Sequence, residues 1–167
     1  MSKFPRCAFA LLFALFYVAP SFAVVTSLED GSAEASLSFG ASDSVSISVE
    51  TIEIPNGYAY SKAYMWGGDE TSPPKTIIKA ITVLRNDQTV FIPLSAYVDL
   101  GNPRTIALEK LPARGFRLTI RGGDAAGSYS AMLDFKKAEI SRRKVVSGEF
   151  PKEVWEETTF SFNHLSN

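Results

Sequence analysis

Over residues 44–50 the chain alternates strictly: Val45, Ile47 and Val49 fall on one face, and Ser44, Ser46, Ser48 and Glu50 on the other. A period of two with one wet face predicts a half-buried antiparallel strand. The alternation returns at 116–121, where Phe116, Leu118 and Ile120 interleave with Arg117, Thr119 and Arg121. It returns again at 129–135, where Tyr129, Ala131, Leu133 and Phe135 share a face. Turn signals separate the runs. Asn56-Gly57 divides 51–54 from 58–64, and Asn86-Asp87 divides 81–84 from 89–92. Such pairs tolerate the positive φ that tight hairpin turns demand. Lys136-Lys137 leads into a strand at 140–147, 155–162 reads as the last strand, and 35–39 as an edge strand. No window sustains a helical period. The expected fold is all-β: a single antiparallel β-sandwich of roughly eight to ten short strands, with a small β-barrel as the alternative. The sandwich is preferred because alternating strands expect a solvated face.

The N-terminus breaks this pattern. Lys3 and Arg6 precede an almost unbroken apolar run at 8–19, Pro20 ends it, and Ser21-Phe22-Ala23 places small residues three and one positions before a cut. That is the layout of a secretory signal peptide over residues 1–23, with cleavage after Ala23. The run is shorter than the roughly 20 apolar residues of a membrane-spanning helix. Residues 24–34 are small and polar and read as a flexible lead, which leaves 35–167 as the sandwich domain. The expected location is the periplasm or the exterior, which share the same export step.

Charge narrows the partners. The chain has a formal net charge of −1, and loss of Lys3 and Arg6 makes it more acidic. Nucleic-acid binding wants a clear basic excess, so no nucleic-acid partner is expected. No membrane span is expected beyond the leader, and no cofactor motif is present. The single cysteine, Cys7, lies before the apolar run and leaves with it, so no disulfide is expected.

Catalytic chemistry finds little to work with. His164 is the only histidine and stands close to the C-terminus, a poor place for a base that a third group must orient. Asp134, Glu139, Glu149 and Glu156-Glu157 are the carboxylates open to acid–base work, but neighbours on a strand face opposite ways, so Glu156 and Glu157 should not share a site. Asp43, Asp69, Glu70, Asp87, Asp99 and Asp124 fall in predicted loops. They are either calcium ligands of the kind that C2-like sandwiches use or solvated turn residues, and the second is preferred because turns favour Asp for backbone reasons. No metal site and no enzymatic activity are expected.

The loop at 122–129 is the principal binding candidate, through Gly123, Asp124, Gly127, Ser128 and Tyr129. Its glycines let backbone amides approach a partner, with Arg121 and Lys136 expected nearby. The alternative is a plain strand entry in which Tyr129 fills the core edge and hydrogen-bonds locally. Ala126-Gly127-Ser128-Tyr129 resembles the Ser-Gly-x-Tyr loop that periplasmic lysozyme inhibitors insert into the enzyme's cleft. The resemblance covers four residues, has alanine in place of the first serine, and implies an inhibitory contact with a lysozyme. Trp66 is the second candidate, either a stacking platform or a core plug at a strand end. In the basic run 141–144, Arg142 and Lys144 should share one face and Arg143 the other, with Glu153, Glu156 and Glu157 available as cross-strand partners. The expected function is an exported, non-enzymatic binding module that contacts an envelope or extracellular protein through loops at one end. A lysozyme-inhibitor-like role and a structural role in an envelope assembly are the alternatives.

Overall fold

The computed structural model describes residues 24–28, 30–55, 66 and 73–162. The leader at 1–23, the Asn56-Gly57 turn, Asp69, Glu70 and His164 lie outside the described residues. Among the described residues, ten strands form two open antiparallel sheets. They are β1 (Val24–Ser27), β2 (Ser32–Gly40), β3 (Asp43–Glu53), β4 (Thr76–Arg85), β5 (Gln88–Thr89), β6 (Pro103–Lys110), β7 (Phe116–Gly122), β8 (Tyr129–Lys136), β9 (Glu139–Ser147) and β10 (Val154–Thr159). The six-stranded sheet runs β1-β6-β7-β8-β9-β10 and the four-stranded sheet β2-β3-β4-β5. Neither closes into a barrel, and one core cluster draws on both, so the chain is a β-sandwich.

The period of two decides which face each sheet buries. In β3 Val45, Ile47 and Val49 are buried, and in β7 Phe116, Leu118 and Ile120 are buried. Phe116 and Phe135 are cross-strand partners whose rings stack at 4.5 Å, a pairing that adds about 0.5–1.5 kcal/mol beyond the area they bury. Asn86 and Asp87 both have positive φ and make the β4–β5 turn that their identities predict.

Two strands differ from the sequence expectation. Residues 24–34 are not a lead: β1 pairs with β6 from Val24↔Leu108 to Ser27↔Thr105, and β2 already begins at Ser32. The reason is β6 itself, whose consecutive buried Ile106, Ala107 and Leu108 show no alternation and whose outer edge β1 covers. A run buried on both sides carries no strand period.

The outer face of the six-stranded sheet is an ion ladder. Glu109, Arg117, Asp134 and Arg142 stand opposite one another across β6, β7, β8 and β9. Arg117 and Arg142 both grip Asp134, Arg117 also reaches Glu109, and Arg142 reaches Glu157 on β10 at 3.5 Å. Burial pushes the Asp134 carboxyl up, but hydrogen bonds from Arg117 and Arg142 outweigh it, so its net shift is downward from 3.8. A carboxylate with a depressed folded value contributes stability above the unfolded value and loses it as pH falls through the folded one. Acid titration of the wild type and Asp134→Asn, followed by circular dichroism, is therefore expected to show a smaller stability loss for the variant between neutrality and strong acid. An unchanged acid limb would remove Asp134 from the account.

Candidate functional site

The strands place their connections at two opposite ends. One end carries the β2–β3, β4–β5, β6–β7 and β8–β9 turns. The other carries the β7–β8 loop at 123–128, the β9–β10 loop at 148–153 and the entry to β6 around Asn102. This second end contains most of the residues singled out from the sequence.

The base of the 123–128 loop is locked. Tyr129 is 1% exposed, and its hydroxyl donates to the Gly101 carbonyl at 3.0 Å. Burial first, and the nearby Asp99 carboxylate second, push the phenol pKa up, so the group stays a donor. Gly122 is mandatory below it: a Cβ there would lie 2.5 Å from the Tyr129 hydroxyl and 2.7 Å from the Asn102 carbonyl. Asn102 ties three segments together, because its Oδ1 accepts from the Lys75 and Thr76 amides and its carbonyl accepts from the Gly123 amide. On the far side Gly148 donates to the Ser128 carbonyl, with no room for a Cβ against Ser128. Tyr129 is thus packed in the core, the position that the strand-entry alternative describes. Its burial also takes the fourth residue of the lysozyme-inhibitor-like match out of reach of a partner. Gly123 is buried as well, with φ +73 that suits glycine.

What the loop presents is its tip. Asp124, Ala125 and Ala126 are exposed, and Gly127 and Ser128 half-buried. The tip is a single 3-10 turn in which the Asp124 carboxylate accepts from the Ala125 amide at 2.9 Å. Ala125 has φ +42, a left-handed conformation that costs a Cβ-bearing residue energy and is retained only where its surroundings fix it. Arg104, which the sequence did not single out, stands 3.5 Å from Asp124. Lys136 does not: it ends β8 at the opposite end of the sandwich. In the β9–β10 loop at the same end, Phe150 is 64% exposed. Its amide donates to Ser147 Oγ and its carbonyl accepts from Glu153, closing a turn around Pro151.

Trp66 does not join that surface. It is partly buried against the core and stacks on Trp155 at 5.1 Å. Its amide donates to Asp99 and its carbonyl accepts from Gly101. The core-plug reading therefore describes its position. Trp155 reaches it because a bulge between Val154 and Glu156 inserts an extra residue into β10.

Close by lies an ion cluster that sequence reasoning recognised only in part. Arg143 is 4% exposed on the inner face of β9; its two terminal nitrogens grip both oxygens of Asp99 at 2.7 and 2.9 Å and both of Glu156 at 2.8 and 3.0 Å. The Glu156 partnership follows from the cross-strand pattern; Asp99 comes from the 90–100 crossover, which no local pattern reveals. Burial pushes the Asp99 carboxyl up, against the opposing pull of Arg143. Two carboxylates bridged by one guanidinium form a clamp that holds the crossover on the sheet. Asp43 is likewise held by Arg85 and Arg114. Among the described residues, no group of three or more His, Cys, Asp or Glu is arranged to hold a metal ion. No helix among them is long and apolar enough to cross a membrane.

Comparison with protein families, curated proteins and solved structures finds no match to this chain.

Proposed function

We propose that the protein is an exported, non-enzymatic binding module that contacts a partner protein of the envelope or the exterior through one end of its sandwich. The contact surface is the Asp124-Ala125-Ala126 tip together with Phe150. The observation that carries this reading is a largely exposed aromatic side chain at the same end of the sandwich as a strained tip whose base is fixed by Tyr129, Asn102 and Gly148. A preformed loop spends little entropy on docking, and a desolvated aromatic anchor supplies much of the affinity of a typical interface. The carboxylates Asp43, Asp99, Asp134 and Glu156 are engaged by arginines, which supports a structural rather than a catalytic use for them. The N-terminal layout of a basic start, an apolar run and Ala23 supports export.

The test is capture by the immobilised protein, from envelope extract and from a panel of lysozymes, next to Ala126→Arg and Phe150→Ser. Both positions are exposed, so both variants are expected to keep the wild-type circular dichroism. A partner retained by the wild type is expected to weaken by at least about 2 kcal/mol with Phe150→Ser, the loss on truncating an interface anchor. Equal capture by all three proteins would move the contact away from this end. Retention of a lysozyme through Ala126 would select the inhibitory version of the proposal.

A further inference from the structure

The opposite end of the sandwich carries a second built feature, independent of the contact proposed above. A groove of about 690 Å³ runs between the β6–β7 turn and the β8–β9 hairpin, on the outer side of the six-stranded sheet. Leu111, Pro112 and Ala113 form one wall, and Lys136, Lys137 and Arg142 line the other.

Its walls are held in place from the other sheet. The Arg85 guanidinium donates to the Arg114 carbonyl at 3.0 Å and to the Lys137 carbonyl, while its remaining nitrogens bind Asp43. Gly115 lets the β6–β7 turn sit against β8, because a Cβ there would come within 2.8 Å of the Phe135 carbonyl. Ala113, Arg114 and Lys137 all have positive φ, between +55 and +59. Asn and Asp accept that conformation readily; alanine, arginine and lysine do not, and strain of this kind gathers at functional sites.

The electrostatics are asymmetric. Asp134, in the groove, is neutralised by Arg117 and Arg142. Glu139 stands opposite Lys136 in register, yet no described acid lies within ion-pair distance of Lys136 or Lys137. Arg114, in the β6–β7 turn, adds an exposed cation whose ion pair among the described residues is with Asp43, at 3.5 Å. One wall is apolar, and the other carries Lys136, Lys137 and Arg142 with Glu139 among them, its two lysines in no ion pair with a described residue.

We infer that this groove is a docking site for an extended acidic segment of a partner protein. An extended peptide presents side chains alternately to two sides, so carboxylates can face Lys136 and Lys137 while apolar side chains lie along Leu111 and Pro112. Lysines are mobile point charges that suit dispersed carboxylates, whereas phosphate recognition favours arginine forks. A recess also suits a chain better than a flat bilayer surface.

The probe is a fluorescein-labelled decapeptide of alternating Glu and Leu, titrated with the protein and followed by fluorescence anisotropy. Binding is expected to weaken about tenfold in the double variant Lys136→Glu, Lys137→Glu, and to weaken as salt screens the charges. Lys152→Glu, at the other end, should leave it unchanged. Amide shifts on peptide addition should fall on 111–115 and 135–142. Absence of binding, binding indifferent to the double variant, or capture of phosphatidylglycerol vesicles in place of the peptide would each overturn the inference. Phe150→Ser leaves this assay intact if the groove is the site, so its failure and that of the loop-end contact are read separately.

Discussion

Arg143→Ala is expected to lower folding stability by about 3–5 kcal/mol in urea or thermal unfolding, the cost of breaking a buried ion pair by removing one partner. The cost comes from what remains. Asp99 and Glu156 lose both guanidinium contacts inside a partly desolvated site and keep no other cation among the described residues. Asp99, whose carboxyl burial pushes up, loses the guanidinium that opposes that push, and the 90–100 crossover loses its tie to β9. Trp66 and Trp155 stack beside the cluster, so tryptophan fluorescence is expected to change with the substitution. The triple variant Arg143→Met, Asp99→Asn, Glu156→Gln separates the penalty for an orphaned charge from any net benefit of the cluster. It removes all the charges together and should recover most of the loss. A loss below about 1 kcal/mol for Arg143→Ala would mean that the cluster behaves as an exposed surface pair.

Tyr129→Ala is expected to cost about 3–5 kcal/mol, the range for removing a buried aromatic ring from a packed core. Tyr129→Phe isolates the hydroxyl. It deletes the bond to the Gly101 carbonyl and leaves a buried acceptor without that donor, a loss of about 1–3 kcal/mol. The two values together decide how a binding defect at this position is to be read. If the ring holds the base of the loop, Tyr129→Ala impairs binding by loosening Asn102, Gly122 and Gly123, and Tyr129→Phe keeps the partner while losing stability. If Tyr129→Ala unfolds with the wild-type midpoint, the tyrosine is not a core residue.

The sandwich was legible because most of its strands have one wet face. Val45, Ile47 and Val49, or Phe116, Leu118 and Ile120, announce themselves by period alone, and Asn86-Asp87 marks its turn by residue type. Strands β1 and β6 were not legible. Ile106, Ala107 and Leu108 are buried in succession, and the short β1 is a strand only because β6 offers it an edge.

The site was partly legible for a similar reason. The glycines, Asp124 and Ser128 marked a loop, but chain-local pattern cannot tell whether Tyr129 points at a partner or into the core. That is decided by Gly101, distant in sequence, whose carbonyl awaits a donor. Phe150 carries no signal of its own beyond Pro151 beside it. Asp99 looked like any turn aspartate, because its partner Arg143 is brought to it only by the crossover.

Amide hydrogen exchange on the protein, free and bound to the partner that it captures, tests the central claim most directly. Slowed exchange on partner binding is expected at residues 124–128 and 147–153, with Tyr129 and the β7–β8 ladder already protected in the free protein. Protection that appears only along the outer edge of β10 or around Trp66, with 124–128 and 147–153 unaffected, would contradict it.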